Sequence, residues 1–517
     1  MRTVQREKIP VFALFCSPRT IRRFCIIALL ALAPLLTTAA PKPNIVFILA
    51  DDLGYADIGF NGSHYFETPH IDALAENSLA LDYAYAYPTC SPSRAALLTG
   101  KHSFRTGVYN VPVLEQNNAK TGIFSRWTVL KEHAFYSQLL QTAGYNTIHL
   151  GKWHVVGPYP KQELAQAYPF KKKLRQPRPG DYSWVTTHKT ADVQRYYPTG
   201  RGFHENVGGT FRGDPAFETG GYRSETGGYR APFSNPFVAA KKGDEWLTDR
   251  LTDDAIDFIK RHSKAPFFIN LHYYAPHRPS IARSETSFKK YMAKPADPTT
   301  GQGEGDLKKR KETAAYATMV ESIDQNVGRI IDVLDQSGLR ENTLIIFSSD
   351  NGFNSIQSAN KGLRGSKGNV YEGGIRIPCL INWPGQITPR RSTTPVSLLD
   401  FFPTFLTLAG AEPGSTDGDS LVPLFKGDNA LQDRPLFWHI ASRYKDPPCS
   451  IIRKNDYKLI QFLNDGRLEL YHLKDDPTER NNLAAKKPEI RNRLKTELVE
   501  WRKTHRVPLP PASELPH

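Results

Sequence analysis

The sequence predicts an α/β protein: a large, mostly parallel sheet sandwiched by helices, then a smaller antiparallel sheet with one helix. Three observations carry that expectation. Over the first two-thirds of the chain, short apolar runs alternate with helical patterns, the signature of strand–helix–strand units. The runs are apolar at almost every position, as expected of strands covered on both faces. Beyond residue 425 the runs shorten and crowd together, as in a meander of hairpins.

The clearest strands are Asn44–Ala50, Asn146–Leu150, Pro266–Leu271, Thr343–Ser349 and Ile375–Ile381. Helical spacing marks Ile71–Ser78, Phe135–Thr142, Leu251–Lys260 and Ala314–Gln336. Residues 155–245 and 280–310 are rich in Pro, Gly, Tyr and charge; they read as long surface insertions, which in compact domains are often functional. The C-terminal strands are Pro435–His439, Ser450–Arg453, Tyr457–Phe462 and Leu468–Leu473, with Asn464, Asp465 and Gly466 as a hairpin turn. A charged amphipathic helix comes next, near Pro488–Lys503. The expected organisation is a leader over 1–40, a large α/β domain over 41–425 and an α+β subdomain over 426–517.

The chain has 517 residues, 39% hydrophobic and 11% aromatic. That suffices for a sizeable core and argues against disorder, collagen or a polytopic membrane protein. Lys and Arg number 67 against 52 Asp and Glu, a net of +15, which invites a polyanion: nucleic acid, acidic membrane or acidic glycan. Part of that charge is in the N-terminus. Arg19, Arg22 and Arg23 precede an apolar run from Phe24 to Leu36, and Thr37 to Ala40 offer a small-residue cleavage site. This is a secretory signal pattern; at 13 residues the run falls short of the roughly 20 that span a bilayer. An uncleaved anchor is the alternative. Export to the periplasm or the extracellular space is expected. Cleavage near Ala40 removes six basic residues and one acidic one, leaving a net of +10.

Outside the leader the cysteines are Cys90, Cys379 and Cys449. Three cysteines in an exported chain of this length do not make a disulfide scaffold. Cys379 lies in an apolar run and reads as core; pairing with Cys449 is left open.

In an open α/β sheet, ligands bind beyond the carboxyl ends of the strands. The residues just past each strand are therefore informative. Asp51-Asp52 come after the first, Gly151-Lys152-Trp153-His154 after the second, His272 through His277 after the third, and Asp350-Asn351-Gly352 after the fourth. In a parallel sheet these groups converge on one rim. Asp51, Asp52, Asp350 and Asn351 offer hard oxygen ligands only, which suit Ca²⁺ or Mg²⁺ better than zinc. Either Asp52 or Asp350 alone would read as a turn or helix cap; two pairs at two strand ends favour metal.

The most informative stretch is Pro88-Thr89-Cys90-Ser91-Pro92-Ser93-Arg94, continuing to Leu98-Thr99-Gly100. Pro92 fits a first helical turn and Gly100 a C-terminal cap. Cys90 then lies at a helix N-terminus, where backbone N–H groups favour anions, with Arg94 one turn on. A capping thiol and a low-pKa nucleophilic cysteine are both open readings.

This stretch resembles the signature of the type I, formylglycine-dependent sulfatases of the alkaline phosphatase superfamily. Further motifs of that family stand in the expected order: Asp51-Asp52-Leu53-Gly54-Tyr55, Gly151-Lys152-Trp153-His154, Pro276-His277-Arg278-Pro279, Ser349-Asp350-Asn351-Gly352, and Gly365-Ser366-Lys367-Gly368 before Glu372-Gly373-Gly374. The match covers residues 44–410, and the C-terminal part fits the family's small second domain. The resemblance implies an alkaline-phosphatase-like fold.

It also implies that a formylglycine-generating enzyme oxidises Cys90 to an aldehyde, hydrated to a geminal diol. One diol oxygen would attack sulfur in line and displace the alcohol; the sulfated diol would then collapse and expel sulfate. By correspondence, Asp51, Asp52, Asp350, Asn351 and the modified Cys90 would hold Ca²⁺, ahead of Mg²⁺. Lys152 and Lys367 would bind sulfate oxygens, and Arg94 would hold the diol. His277 would bind sulfate and protonate the leaving oxygen; His154 would contact the diol and take its second proton. Related phosphonate or phosphodiester hydrolases that carry formylglycine are the runner-up class.

These motifs say little about the alcohol. Residues 195–235 interleave Arg195, Arg201, His204, Arg212, Arg223 and Arg230 with Tyr196, Tyr197, Tyr222 and Tyr229. Aromatic faces stack on sugars and arginines bind sulfate or carboxylate, so a sulfated polysaccharide or oligosaccharide is the expected substrate. A solvated basic loop, with a small aryl sulfate as substrate, is the alternative. No zinc-finger spacing or RNA-binding signature supports a nucleic-acid partner, and no stable membrane span is expected. A chain with an unmodified Cys90 would be a catalytically silent relative.

Overall fold

A computed structural model describes residues 42–115, 122–165, 190–215, 227–360, 362–428 and 431–510. The leader expected over 1–40 lies outside the described residues. Among these, no helix is long and apolar enough to cross a membrane.

Among the described residues, fifteen strands make three sheets. In chain order they are β1 (Asn44–Ala50), β2 (Leu79–Leu81), β3 (Ala84–Tyr85), β4 (Asn146–Gly151), β5 (Glu205–Val207), β6 (Phe267–His272), β7 (Thr343–Ser349), β8 (Arg376–Ile377), β9 (Cys379–Asn382), β10 (Arg390–Ser392), β11 (Val396–Ser397), β12 (Leu436–Ile440), β13 (Cys449–Lys454), β14 (Tyr457–Phe462) and β15 (Leu468–His472). The large sheet runs β10-β2-β9-β7-β1-β6-β4-β5. Its centre, β7-β1-β6-β4-β5, is parallel throughout.

Successive residues of β1 feed two different cores. Ile45, Phe47 and Leu49 pack with Phe268, Ile346, Phe401 and Phe405 on one face. Val46 and Ile48 pack with Ile269, Phe347 and Phe258 on the other. The helices Cys90–Thr99, Tyr136–Thr142 and Phe401–Ala409 cover the first face; Pro69–Glu76, Leu247–Arg261 and the long Leu307–Gln336 cover the second. This explains the unbroken apolar runs: each strand side chain has a neighbour above or below the sheet, and each buried Ile or Phe stabilises by about 1.5–3 kcal/mol.

The run Ile375–Ile381 departs from the single strand expected of it. Ile375 ends a short helix, β8 joins a three-stranded sheet, and β9 pairs antiparallel with β7. Pro378 separates the two strands; it has no N–H for the ladder. Within the 155–245 insertion, β5 adds an edge strand that lacks any apolar run.

The small sheet is antiparallel, in the order β12-β13-β14-β15. One face holds Ile452, Leu459 and Leu470 against Leu494, Leu498 and Trp501 of the helix Pro488–Thr504. The other presents Trp438, Ile451 and Ile460 to Tyr85, Tyr87, Ala96 and Val370. The small sheet therefore leans on the helix that begins with Cys90. Cys90, Cys379 and Cys449 are all free thiols.

One buried carboxylate gives a testable pH dependence. Asp324 of the long helix accepts from Ile71 N at 2.8 Å. Burial, followed by the neighbouring Asp72, pushes its carboxyl up to about 7. A carboxyl raised in the folded state stabilises fully below its unfolded value and loses that contribution as pH rises through 7. Asp324→Asn keeps the acceptor and removes the charge. It should stabilise the protein by on the order of 2 kcal/mol at pH 8 and by nothing at pH 4; equal denaturation midpoints for the two proteins at pH 8 would refute this.

Candidate active site

The parallel centre of the sheet aims four chain segments at one rim. β1 and β7 pair in register to Ala50 and Ser349, so Asp51-Asp52 and Asp350-Asn351 leave the sheet side by side. β4 and β6 pair Gly151 with His272, and Lys152 N donates to His272 O at 2.8 Å. Asp52 and His154 adopt left-handed φ values of 68° and 59°, uncommon for residues with a Cβ. Asp52 N is held by Asp350 Oδ1 at 3.2 Å, and His154 N by Thr210 O at 3.0 Å. Gly213 lies against the His154 ring, where a Cβ would come within 2.6 Å of Cε1.

The helix Cys90–Thr99 is buried along its whole length and ends on Gly100 at φ 61°, whose N–H donates to Ala96 O. Ser93 fastens its first turn: Tyr87 N donates to Ser93 Oγ at 2.9 Å, and the hydroxyl lies 3.0 Å from Thr89 O. This places Cys90 Sγ 3.5 Å from Asp51 Oδ1 and 3.9 Å from Asp52 Oδ1.

Three carboxylates face three cations in this buried space. Arg94 Nε and Nη2 reach Asp350 Oδ2 at 2.9 and 2.8 Å. Lys152 Nζ lies 2.5 Å from Asp51 Oδ2, and Lys367 Nζ lies 2.7 and 2.8 Å from the two oxygens of Asp52. Asn351 Nδ2 donates to Asp52 Oδ1 at 2.8 Å. Every sequence-predicted site residue thus stands in one cluster: Asp51, Asp52, Cys90, Arg94, Lys152, His154, His277, Asp350, Asn351 and Lys367.

Their protonation is set by burial and neighbours. Burial opposes charge on Asp52, but Lys367, His277 and Lys152 hold its carboxyl below the usual range. Burial and then Asp350 push Asp51 up to about 7, and the same two causes push the Cys90 thiol well above its ordinary range. Lys152 is buried too, yet Asp51 keeps its proton firmly in place. Burial, followed by Lys367 and Lys152, pulls His277 far below the usual imidazole range. Its Nδ1 is 2.7 Å from Arg278 O, which assigns the proton there. Nε2 is left facing Asp52 Oδ2 at 3.8 Å.

Other side chains support the cluster. His272 is fully buried, with Nδ1 3.1 Å from Arg94 Nη1, the nitrogen that also donates to Lys152 O. The sequence places His272 just past a strand end without assigning it a role; the structure ends the strand on His272 itself. Tyr229 OH lies 2.7 Å from Tyr274 O and 2.8 Å from His277 O, its one proton shared between the two carbonyls, bracing the His277 loop. The aromatic and basic residues expected to bind sugar are therefore largely structural. Tyr197 and Tyr229 are fully buried. Arg201 is buried over the Phe135 ring at 3.8 Å, Arg212 pairs with Asp214, and Arg230 pairs with Asp244. Tyr222 and Arg223 lie outside the described residues.

Comparison with known proteins identifies the family. The sulfatase family model matches residues 43–411. A model described as N-sulphoglucosamine sulphohydrolase, C-terminal, matches residues 366–504. A sulfatase of Formosa agariphila is 32% identical, covering 93% of this chain and 90% of its own. The N-acetylgalactosamine-6-sulfatase of Canis lupus familiaris is 32% identical over 80% of this chain and 72% of its own. The crystal structure of Ps i-CgsB in complex with k-i-k-neocarrahexaose superposes with a TM-score of 0.67 at 28% identity, covering 89% of this chain and 92% of that one. A phosphonate monoester hydrolase of Agrobacterium radiobacter shares the fold, with a TM-score of 0.61 at 20% identity over 90% of this chain and 96% of that one. The chain belongs to the sulfatase family of the alkaline phosphatase superfamily, and it is a sulfuric ester hydrolase.

Proposed function

We propose that this sulfatase removes sulfate from a sulfated glycan, using a formylglycine nucleophile made from Cys90 and a bound divalent cation, Ca²⁺ ahead of Mg²⁺. The observation that carries this reading is the convergence of Cys90 with three carboxylates and three cations in one buried cluster. A thiol whose pKa is driven up by burial and Asp350 is a poor nucleophile. Oxidation to an aldehyde hydrate supplies a hydroxyl at the same place.

The donor set fits a cation. Asn351 Oδ1 is buried and accepts no hydrogen bond among the described residues. Ligand atoms of Asp51, Asp52, Cys90 and His277 lie within 4.8 Å of one another. With sulfur and imidazole that group would suit zinc; with an oxygen at position 90, joined by Asp350 and Asn351, the set is hard and suits Ca²⁺ or Mg²⁺. When bound, the ion polarises the sulfuryl oxygens and lowers the charge cost of three adjacent carboxylates. Lys152 and Lys367, each 0–10% exposed at the side chain, supply ammonium groups for the remaining sulfate oxygens. Arg94, locked between Asp350 and His272, orients the modified residue. A sulfate held by the lysines would draw a proton onto His277 Nε2, which then serves the leaving alcohol. His154, whose Nδ1 has no hydrogen-bond partner among the described residues, is placed to take the proton that frees sulfate.

The glycan assignment is supported by the sugar-sulfatase relative and by the carrageenan oligosaccharide in the similar structure. In this reading residues 41–425 carry catalysis, 426–517 flank it, a formylglycine-generating enzyme acts during maturation, and the mature chain works outside the cytoplasm. Two measurements test it. Mass spectrometry of the peptide spanning Cys90, from protein made in the native host, should find the aldehyde or its hydrate. Turnover should be faster on sulfated oligosaccharides than on aryl sulfates, phosphonate esters or phosphodiesters. An active protein with an unmodified thiol, or a strong phosphodiester preference, would overturn it.

A further inference from the structure

The loop Ala441–Pro448 joins β12 to β13 and lies along the segment that carries Lys367. The contacts succeed one another along both chains. Tyr444 packs its ring on Gly368 (φ 91°), where a Cβ would come within 2.4 Å of the Tyr444 Cε1. Lys445 Nζ donates to Ser366 Oγ at 2.9 Å. Asp446 Oδ2 accepts from Val370 N at 2.8 Å and from Asn369 Nδ2 at 3.1 Å. The small sheet thereby contributes a wall on either side of Lys367.

Two of these side chains have more to offer than the wall requires. Tyr444 is half-buried and Lys445 is exposed. Arg94, Lys152 and Lys367 each hold a carboxylate, whereas Lys445 has no ion pair among the described residues. Asp446, beside it, is taken up by Val370 and Asn369. Partial desolvation of the ammonium and then the like charge of Lys367 pull Lys445 below the usual lysine range. Tyr444 on Gly368 and Lys445 on Ser366 flank Lys367 in the chain, so both groups stand close to the reacting centre. The scissile sulfate is claimed by Lys152 and Lys367, so a cation beside them is placed for a different anion.

We infer that Tyr444 and Lys445 form a subsite for the alcohol portion of the substrate: the ring stacks on a sugar, and the ammonium binds a second oxyanion, sulfate or carboxylate. The inference deepens the glycan reading and rests on it. It places substrate selection in the loop between β12 and β13, away from the basic insertion at 195–235 where the sequence suggested it.

The test compares kcat/KM on three oligosaccharide sulfates. One carries a single sulfate, one a second sulfate on the same or the neighbouring sugar, and one a neighbouring uronate. Lys445→Ala should lower kcat/KM for a doubly charged substrate about tenfold more than for the singly charged one, through KM. Lys445→Arg should restore the ratio, and the second-sulfate and uronate arms tell which oxyanion is read. Tyr444→Ala should raise KM for all three, while Tyr444→Phe keeps the ring and should not. Equal losses on singly and doubly charged substrates in Lys445→Ala would overturn the inference and leave the glycan sulfatase reading standing. A wild-type enzyme inactive on every oligosaccharide sulfate would overturn both.

Discussion

Cys90→Ala should lower sulfate-ester turnover by about 10⁴-fold or more while the protein still folds. The thiol is 1% exposed, but its neighbours at 3.5 and 3.9 Å are the carboxylates of Asp51 and Asp52. Deleting one sulfur there costs on the order of 1 kcal/mol. The helix start depends instead on Ser93, whose hydroxyl serves Tyr87 N and is untouched. Cys90→Ser separates the mechanisms. A single hydroxyl at this place can accept a sulfuryl group, but it has no second oxygen from which to expel sulfate. That variant should complete at most one turnover and retain a sulfate ester on residue 90, visible by mass spectrometry. Sustained turnover by Cys90→Ser near the wild-type rate would sink the diol mechanism.

The cluster is legible in the sequence because its chemistry stands in short motifs at strand ends. Asp51-Asp52 and Asp350-Asn351 come after runs whose length and apolarity mark them as strands, and parallel pairing of β1 with β7 brings their ends together. The Cys90 helix is equally readable, from Pro92 and Gly100. What the sequence conceals has two physical origins. Strands of two or three residues, such as β2, β3, β10 and β11, are too short to show a period. Burial is also hard to read wherever aromatic and basic residues alternate: Tyr197, Tyr229 and Arg201 resemble a glycan platform on paper, yet they are packed inside. Arg201 stacks on Phe135, and Tyr229 finds carbonyl partners in the His277 loop. Composition alone does not separate a solvated Arg/Tyr loop from a buried one, because each side chain carries both an apolar body and a polar tip. The role of the small sheet is hidden for a different reason: Tyr444 is separated from Gly368 by many residues, and only tertiary packing joins them.

Lys458→Met should destabilise the protein by about 3–5 kcal/mol at pH 8 and by much less at pH 5. Lys458 on β14 is fully buried, with Nζ 3.1 Å from Glu372 Oε1 and 2.9 Å from Glu479 Oε1. Tyr85 OH donates to Glu372 Oε2 at 3.0 Å, and Glu372 N donates to Glu479 Oε2 at 2.6 Å. Methionine preserves the length of the stem and removes the ammonium between two buried carboxylates. Glu479 sets the direction of the pH effect. Burial, with Glu372 adding to it and Lys458 opposing, pushes its carboxyl up to about 7. Its contribution is complete below the unfolded value and is lost as pH rises through 7, so a protonated Glu479 relieves the variant in acid. The loss should reach the active site. The turn Glu372-Gly373-Gly374 holds Gly352, next to Asn351, through Gly352 N to Gly374 O at 3.0 Å. It also holds the segment before Lys367, through Gly373 N to Arg364 O at 2.7 Å. At pH 5, where the variant is folded, kcat should therefore fall more than KM rises, because catalytic groups lose their brace while the outer wall of the pocket stays. Adding Glu479→Gln to Lys458→Met should recover stability at pH 8. Denaturation midpoints that stay equal to wild type at both pH values would show that the triad contributes nothing, and the small sheet would then be coupled to the site only through apolar packing.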